Sequence, residues 1–191
     1  MNGPNEALMR MHLHNNAPAA ARSRRLIVMS NRAPIRMVRE AREERLEPTL
    51  GGVGTTLLWL LERNGGLWIA WSGGQRTPAP KLLPSGDPRF KIVFAPLGEQ
   101  DISDYYHGMC NRGLWPLMHF MTPKCHFSTQ QWSRYVRVNQ VFARIACSEA
   151  AAGDLLWVQD FHLALAPRWC ANSVASCQLG FSGMCLFHQS N

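Results

Sequence analysis

No apolar run in this chain approaches the ~20 residues needed to cross a bilayer, so the sequence offers no membrane span. The stretch from Met1 to Ala21 has no continuous apolar core. That argues against a secretory signal and leaves a cytoplasmic location as the expectation. The six cysteines, Cys110, Cys125, Cys147, Cys170, Cys177 and Cys185, contain no CxxC pair, and the seven histidines contain no HExxH pair. These absences remove the common zinc spacings, so no metal is expected. A disulfide framework is not expected either, and most of the cysteines read as small apolar residues of the interior. Internal repeats are lacking. Charged residues make up only 17% against 46% hydrophobic over 191 residues. That balance excludes a disordered chain and suits one globular domain with a sizeable core.

The charge that is present is lopsided, at +7. Much of the excess comes from Arg22, Arg24, Arg25, Arg32, Arg36, Arg39, Arg42 and Arg45, partly offset by Glu40, Glu43 and Glu44. A solvated basic loop is the plainest account. Phosphate-bearing small molecules come second, and nucleic acid is not the expected partner.

Apolar runs alternate with helical stretches. Residues 1–23 read as a mobile tail. Arg25 to Ser30 is a short apolar run suited to a buried parallel strand. Residues 33–50, with Pro34, Pro48 and mixed charges, read as a loop. Gly51-Gly52-Val53-Gly54 opens an apolar helix that stops near Asn64-Gly65-Gly66. Strands are expected at Leu67–Trp71, Phe90–Ala95, Asp154–Asp160 and Cys177–Phe181, with a Pro-rich surface loop at 75–89. Helices are expected at Asn111–Met121, from the capping box Ser128–Gln131 to about Ala146, and over 161–170. Alternating strands and helices imply an α/β fold, a parallel sheet flanked by helices with right-handed crossovers. Ligands of such sheets bind beyond the carboxyl ends of the strands.

Several polar and aromatic residues fall at those ends. Arg32 follows the first strand, and it reads either as a surface arginine or as a bidentate phosphate clamp. Gly51-Gly52 at a helix N-terminus suits an anion, although an ordinary turn explains the pair as well. Trp71, Tyr106 and Trp115 are core aromatics or the walls of a sugar pocket. His119 reads as a packed helix residue. Asp160, after Leu155 to Val158, is placed to accept hydrogen bonds from sugar hydroxyls or to cap a helix.

Taken in order, Ser30-Asn31-Arg32, Gly51-Gly52, Gly66-Leu67-Trp68 with Trp71-Ser72-Gly73, Tyr105-Tyr106, Asn111 with Leu114-Trp115-Pro116 and His119, Tyr135 with Arg137-Val138-Asn139, and Trp157 to Leu163 have the spacing of one family. Over residues 24–181 the chain resembles the trehalose-6-phosphate synthases, retaining glycosyltransferases of two facing Rossmann-like domains (GT-B). The resemblance implies an incomplete N-terminal, acceptor-side Rossmann-like domain at 24–181. It also implies glucosyl transfer from UDP-glucose to glucose 6-phosphate with release of UDP, a role in trehalose biosynthesis. No cofactor or metal is implied, UDP-glucose being a co-substrate. By position, Arg32 is expected to hold the acceptor phosphate, and Trp71, Tyr106 and Trp115 to shape the acceptor pocket. Gly52 is expected against the donor diphosphate. Asp160, the catalytic residue, is expected where donor and acceptor meet. The leaving diphosphate assists the incoming hydroxyl on the same face, so no enzyme nucleophile is required, unlike the paired carboxylates of retaining glycosidases. A homo-oligomer of a full-length form is compatible with this reading. Gln159 stands where the family has His or a similar polar residue, and Phe161 where Tyr is common.

Residues 182–191 depart from the family. The family continues Gly-Phe-Phe-x-His-x-Pro-Phe-Pro, and its histidine belongs at position 184, which is Met184. Reading Phe181 to Gln189 as TTT-TCT-GGC-ATG-TGC-CTT-TTC-CAT-CAA and adding one T in front restores Phe-Phe-Trp-His-Val-Pro-Phe-Pro-Ser. The expectation is a one-base loss, an out-of-frame tail, and a chain without turnover of its own. Two alternatives stand beside it. One is a related enzyme with another phosphorylated acceptor, such as glycerol 3-phosphate. The other is a non-catalytic fragment that binds a sugar phosphate or a partner protein.

Overall fold

The computed structural model describes residues 25–40, 43–48, 52–73, 81–83, 90–173 and 178–182. The expected tail at 1–23, Gly51, Cys177 and the segment containing Met184 lie outside these residues.

Strand β1 (Leu26–Arg32) is apolar on both faces for most of its length, as a strand covered on both sides must be. It pairs in parallel with β4 (Gly66–Trp71) on one side and β7 (Leu155–Gln159) on the other. β6 (Phe90–Phe94) extends the sheet beside β4, and β8 (Gln178–Ser182) extends it beside β7, both in parallel. β5 (Lys81–Leu83) closes one edge antiparallel to β6, giving the order β5-β6-β4-β1-β7-β8. The expected parallel sheet is therefore present; of the expected loop at 75–89 only 81–83 lie within the described residues, and these form the short edge strand instead. Three residues are too few to show a period.

A second correction concerns residues 33–50. Ile35–Glu40 (β2) and Glu43–Pro48 (β3) pair as an antiparallel hairpin instead of forming a loop. The register sets Arg36 opposite Glu47, Arg39 opposite Glu44 and Glu40 opposite Glu43, so the mixed charges that suggested a solvated loop occupy paired strand positions. Pro48 ends its strand, where it breaks no continuing ladder.

Alternation along the strands divides the core between two layers. Ile27, Met29, Leu67, Ile69, Leu156 and Val158 face one side, where Tyr105, Tyr135, Val138, Phe142 and Leu163 pack. Val28, Trp68, Ala70 and Ile92 face the other, against Leu57 and Leu61 of α1 (Gly52–Asn64). Burying each such leucine contributes roughly 1.5–3 kcal/mol. α1 ends where expected. Gly65 takes a left-handed φ of 72° and its N–H donates to the Leu61 carbonyl at 2.8 Å. Gly66 has no alternative residue, because a Cβ there meets the Leu26 carbonyl oxygen at 2.3 Å.

The helix expected from Asn111 begins at Glu99, twelve residues earlier. Helix α2 comprises Glu99–Asp101, a widened stretch Ile102–Leu114, and Trp115–Met118. Its first turn holds itself, since the Gly98 N–H donates to Asp101 Oδ2 at 3.0 Å. Acidic residues there suit the dipole. The polar run had masked this start. In the widened stretch bonds span five residues, as from the Trp115 N–H to the Cys110 carbonyl. Helix α3 (Thr129–Glu149) is capped by Ser128, whose Oγ accepts from the Gln131 N–H at 3.2 Å, as the capping box predicts. A single turn at Phe161–Leu163 and α4 (Ala166–Ser173) follow β7.

Charges pin the amino-terminal edge of the sheet. Arg25 bonds Asp154 at 2.9 Å across β1 and β7. Lys91 bonds Glu149 at 2.7 Å.

Candidate functional site

A register shift lies between Met29 and Arg32. Met29 pairs with Ile69, but Arg32 pairs with Trp71, so β1 spends three residues where β4 spends two. Such bulges re-aim side chains at strand ends. Here the shift lays the Arg32 guanidinium 5.1 Å from the Trp71 ring centroid and 5.3 Å from that of Tyr106. The turn is fixed from below. Ser30 Oγ donates to the Arg32 carbonyl at 2.7 Å and accepts from the Trp68 indole N–H at 2.7 Å. Asn31 Oδ1 accepts from the Tyr105 hydroxyl at 2.9 Å. Burial pushes the Tyr105 hydroxyl well above the ordinary tyrosine range, so it stays protonated and remains a donor.

From Tyr106 the contacts continue to the next strand end. The His162 ring stacks on Tyr106, with centroids 5.7 Å apart and planes 20° apart. Its Nδ1 lies 3.1 Å from Asp160 Oδ2. Asp160 Oδ1 accepts from the Phe161 N–H at 2.7 Å. Asp160 therefore caps the following turn, and its carboxylate also stands at the sheet edge. Its φ of 77° with ψ of 157° lies in a region that residues other than glycine scarcely enter. Strain of this kind persists where the surroundings impose it. The Tyr135 hydroxyl donates to the Phe161 carbonyl at 2.6 Å, and Asn139 Nδ2 donates to the His162 carbonyl at 3.1 Å.

Trp115 lies beyond Phe161, with centroids 6.2 Å apart, and is 39% exposed. His119, expected as a packed helix residue, is instead exposed at the helix end, its ring 3.7 Å from Trp115. It follows the last helical residue, Met118, and leaves the helical conformation at φ −103° and ψ 20°. Gly52 is the first residue of α1, at its N-terminus. The crossover from β1 to β4 brings that N-terminus to the carboxyl edge from the opposite face of the sheet. Arg32, Trp71, Tyr106 and Asp160 are thus joined by consecutive contacts, Trp115 flanks them, and Gly52 stands apart from the stack.

Beside Trp71 opens a cleft of about 370 Å³, lined by Gly73, Leu97, Glu99, Ser103 and His107 among others. This is within the range of small-molecule sites. Sequence reasoning gave no role to His162 or His107. The only available signal was the Asp160-Phe161-His162 run, where a donor two residues from the acid can turn back onto it. Cys110 is buried, and burial pushes its thiol far up, so it is an unreactive core residue. Among the described residues no three His, Cys, Asp or Glu side chains converge as metal ligands, and no helix is long and apolar enough to cross a membrane.

A sheet of parallel strands with ligand-competent groups at its carboxyl edge is a Rossmann-like arrangement, and its likeness to solved trehalose-phosphate synthases makes it part of the N-terminal Rossmann-like domain of a GT-B glycosyltransferase. The chain belongs to glycosyltransferase family 20, whose pattern matches residues 24–189. It is 38% identical to a trehalose-6-phosphate synthase of Mycolicibacterium vanbaalenii over 148 residues, covering 74% of this chain and 30% of that protein. Among solved structures, the alpha,alpha-trehalose-phosphate synthase (UDP-forming) of Burkholderia xenovorans in complex with glucose-6-phosphate superposes with a TM-score of 0.64 at 26% identity, over 82% of this chain and 32% of that one. An E. coli structure described as "Trehalose-6-phosphate … bound with UDP-2-fluoro glucose" gives 0.63 at 29% identity, again over 82% of this chain and 32% of that one. The chain spans about 30% of the length of the curated relative it matches.

Proposed function

We propose that this chain is the acceptor-side part of an enzyme that transfers glucose from UDP-glucose to glucose 6-phosphate and releases UDP. The observation that carries the reading is the laying of Arg32 on the faces of Trp71 and Tyr106. A guanidinium held by its face keeps its in-plane N–H donors for a bidentate anion such as a phosphate ester. The adjoining rings add apolar edges beside the guanidinium, against which the carbon face of a hexose can pack. Support also comes from the relatives named above, one of them solved with glucose-6-phosphate.

In this reading Arg32 grips the acceptor phosphate, while Trp71, Tyr106 and Trp115 orient the sugar. Asp160 accepts hydrogen bonds from hydroxyls at the junction of donor and acceptor. Gly52, with the α1 N-terminus behind it, faces the donor diphosphate, where backbone N–H groups favour negative charge. The leaving diphosphate takes the proton of the incoming hydroxyl as the new glycosidic bond forms on the same face. The protein then contributes positioning and stabilisation of the departing charge, and no metal enters. A cytoplasmic location fits these substrates.

Saturation-transfer NMR with the purified chain tests the acceptor. Glucose 6-phosphate is expected to give contacts that glycerol 3-phosphate does not displace at equal concentration. Displacement by glycerol 3-phosphate, or no saturable contact with glucose 6-phosphate, contradicts the proposal.

A further inference from the structure

Asp160 and His162 form a pair that the proposed roles leave unused on the histidine side. His162 Nδ1 lies 3.1 Å from Asp160 Oδ2, and the His162 side chain is 12% exposed. The ring stacks against two others, Phe161 at 4.2 Å and 26° and Tyr106 at 5.7 Å and 20°. Its backbone carbonyl accepts from Asn139 Nδ2 at 3.1 Å. Asn139 is itself fully buried, and its Oδ1 takes the N–H groups of Leu165 and Ala166 at 3.1 and 3.0 Å. The imidazole therefore has little freedom to turn away from the carboxylate.

We infer that His162 is a positioning residue for Asp160. In this arrangement Nδ1 carries the proton and donates it to Oδ2, while the Phe161 N–H holds Oδ1. Two donors on two oxygens fix the plane of the carboxylate, and each oxygen retains a lone pair for a substrate hydroxyl. The hydrogen bond at one ring nitrogen selects the tautomer, leaving Nε2 as an acceptor. The same imidazole rests on Tyr106, whose ring carries Arg32. His162 thus links the part of the site that meets phosphate to the part that meets hydroxyls. This inference rests on the acceptor reading above, because it assigns to Asp160 the hydroxyls of that acceptor.

Two measurements on the intact chain test it. The first needs no ligand: ¹⁵N shifts of the His162 ring report the tautomer. The Nδ1–H form is expected, with a shift toward Nε2–H in Asp160→Asn; an Nε2–H ring in the unaltered chain overturns the inference. The second compares glucose 6-phosphate with inorganic phosphate by calorimetry. His162→Phe keeps the stacking and loses the donor. It is expected to weaken glucose 6-phosphate binding by about ten-fold, the scale of one hydrogen bond to a charged group. Phosphate binding should be unchanged. His162→Asn, which places an N–H near the position of Nδ1–H, should restore most of the loss. Equal weakening toward both ligands, or no recovery with Asn, overturns the positioning role. If the unaltered chain has the Nδ1–H tautomer but binds no glucose 6-phosphate, the acceptor reading fails, and the role assigned to His162 falls with it.

Discussion

The Arg32 guanidinium lies over the Trp71 ring, 5.1 Å from its centroid, because a register shift in β1 sets the two residues opposite each other. Trp71 is only 5% exposed, so its ring acts as a fixed floor under the cation. Trp71→Leu keeps an apolar side chain and removes that floor. Glucose 6-phosphate affinity is expected to fall by roughly 3–30-fold, the value of a partly desolvated cation–π contact, as read by calorimetry. An unchanged affinity would separate Trp71 from the site.

Asp160 holds a backbone conformation that favours glycine, at φ 77°. Asp160→Gly relieves strain of about 1–3 kcal/mol. It also loses the bonds to the Phe161 N–H and to His162, about 1 kcal/mol each. The two effects nearly offset, so urea denaturation is expected to show little change in stability, while sugar-phosphate binding is lost. A large destabilisation instead would mean that the conformation is not strained in the folded chain.

Among the described glycines, Gly66→Ala is expected to be a strongly damaging replacement. The new methyl meets backbone at 2.3 Å and the Leu61 side chain at 2.6 Å, at a φ of 140°. A loss of at least about 3 kcal/mol is expected, above the range of ordinary substitutions, with a lowered urea midpoint.

Acid should unfold the chain through particular carboxyls. Burial alone raises Asp154, but the Ala151 N–H and Arg25 outweigh it and hold its carboxyl below the ordinary range. The side-chain amides of Gln100 and Gln130, aided by Arg134, hold Asp104 below it as well. The folded chain thus binds fewer protons than the unfolded chain near and below the ordinary value of 3.8. This stabilisation is complete above that pH and disappears as pH falls through the lowered values. Denaturation at stepped pH should show stability falling below about pH 4. Asp154→Asn should flatten that slope.

Much of this was legible in the chain. The apolar strands announced themselves because a buried parallel strand has little choice of composition, and Ser128 announced α3 because caps are chemically specific. The hairpin at 35–48 did not, since the stretch 33–50, of mixed charge with two prolines, shows too little apolar alternation to mark its strands. The early start of α2 was hidden in polar residues whose partners, such as Arg134 on Asp101 at 3.2 Å, come from another helix. Arg32, Trp71, Tyr106 and Asp160 could be named as candidates from strand ends. Their contact through His162 could not, because it depends on a bulge, a strained turn and ring stacking across three elements.

The coding DNA provides a separate check on the region around Met184. A shifted frame from codon 181 onward should read Phe-Phe-x-His-x-Pro-Phe-Pro. Codons that give this in no frame contradict the one-base loss.

The most direct test of the acceptor reading is a calorimetric titration of glucose 6-phosphate into the chain and into its Arg32→Ala variant. Saturable binding by the unaltered chain is expected, weakened at least about ten-fold in the variant, as befits the loss of a charge-assisted bidentate contact. Equal binding by both, or none by the unaltered chain, would contradict a phosphate-bearing acceptor at the carboxyl edge of this sheet.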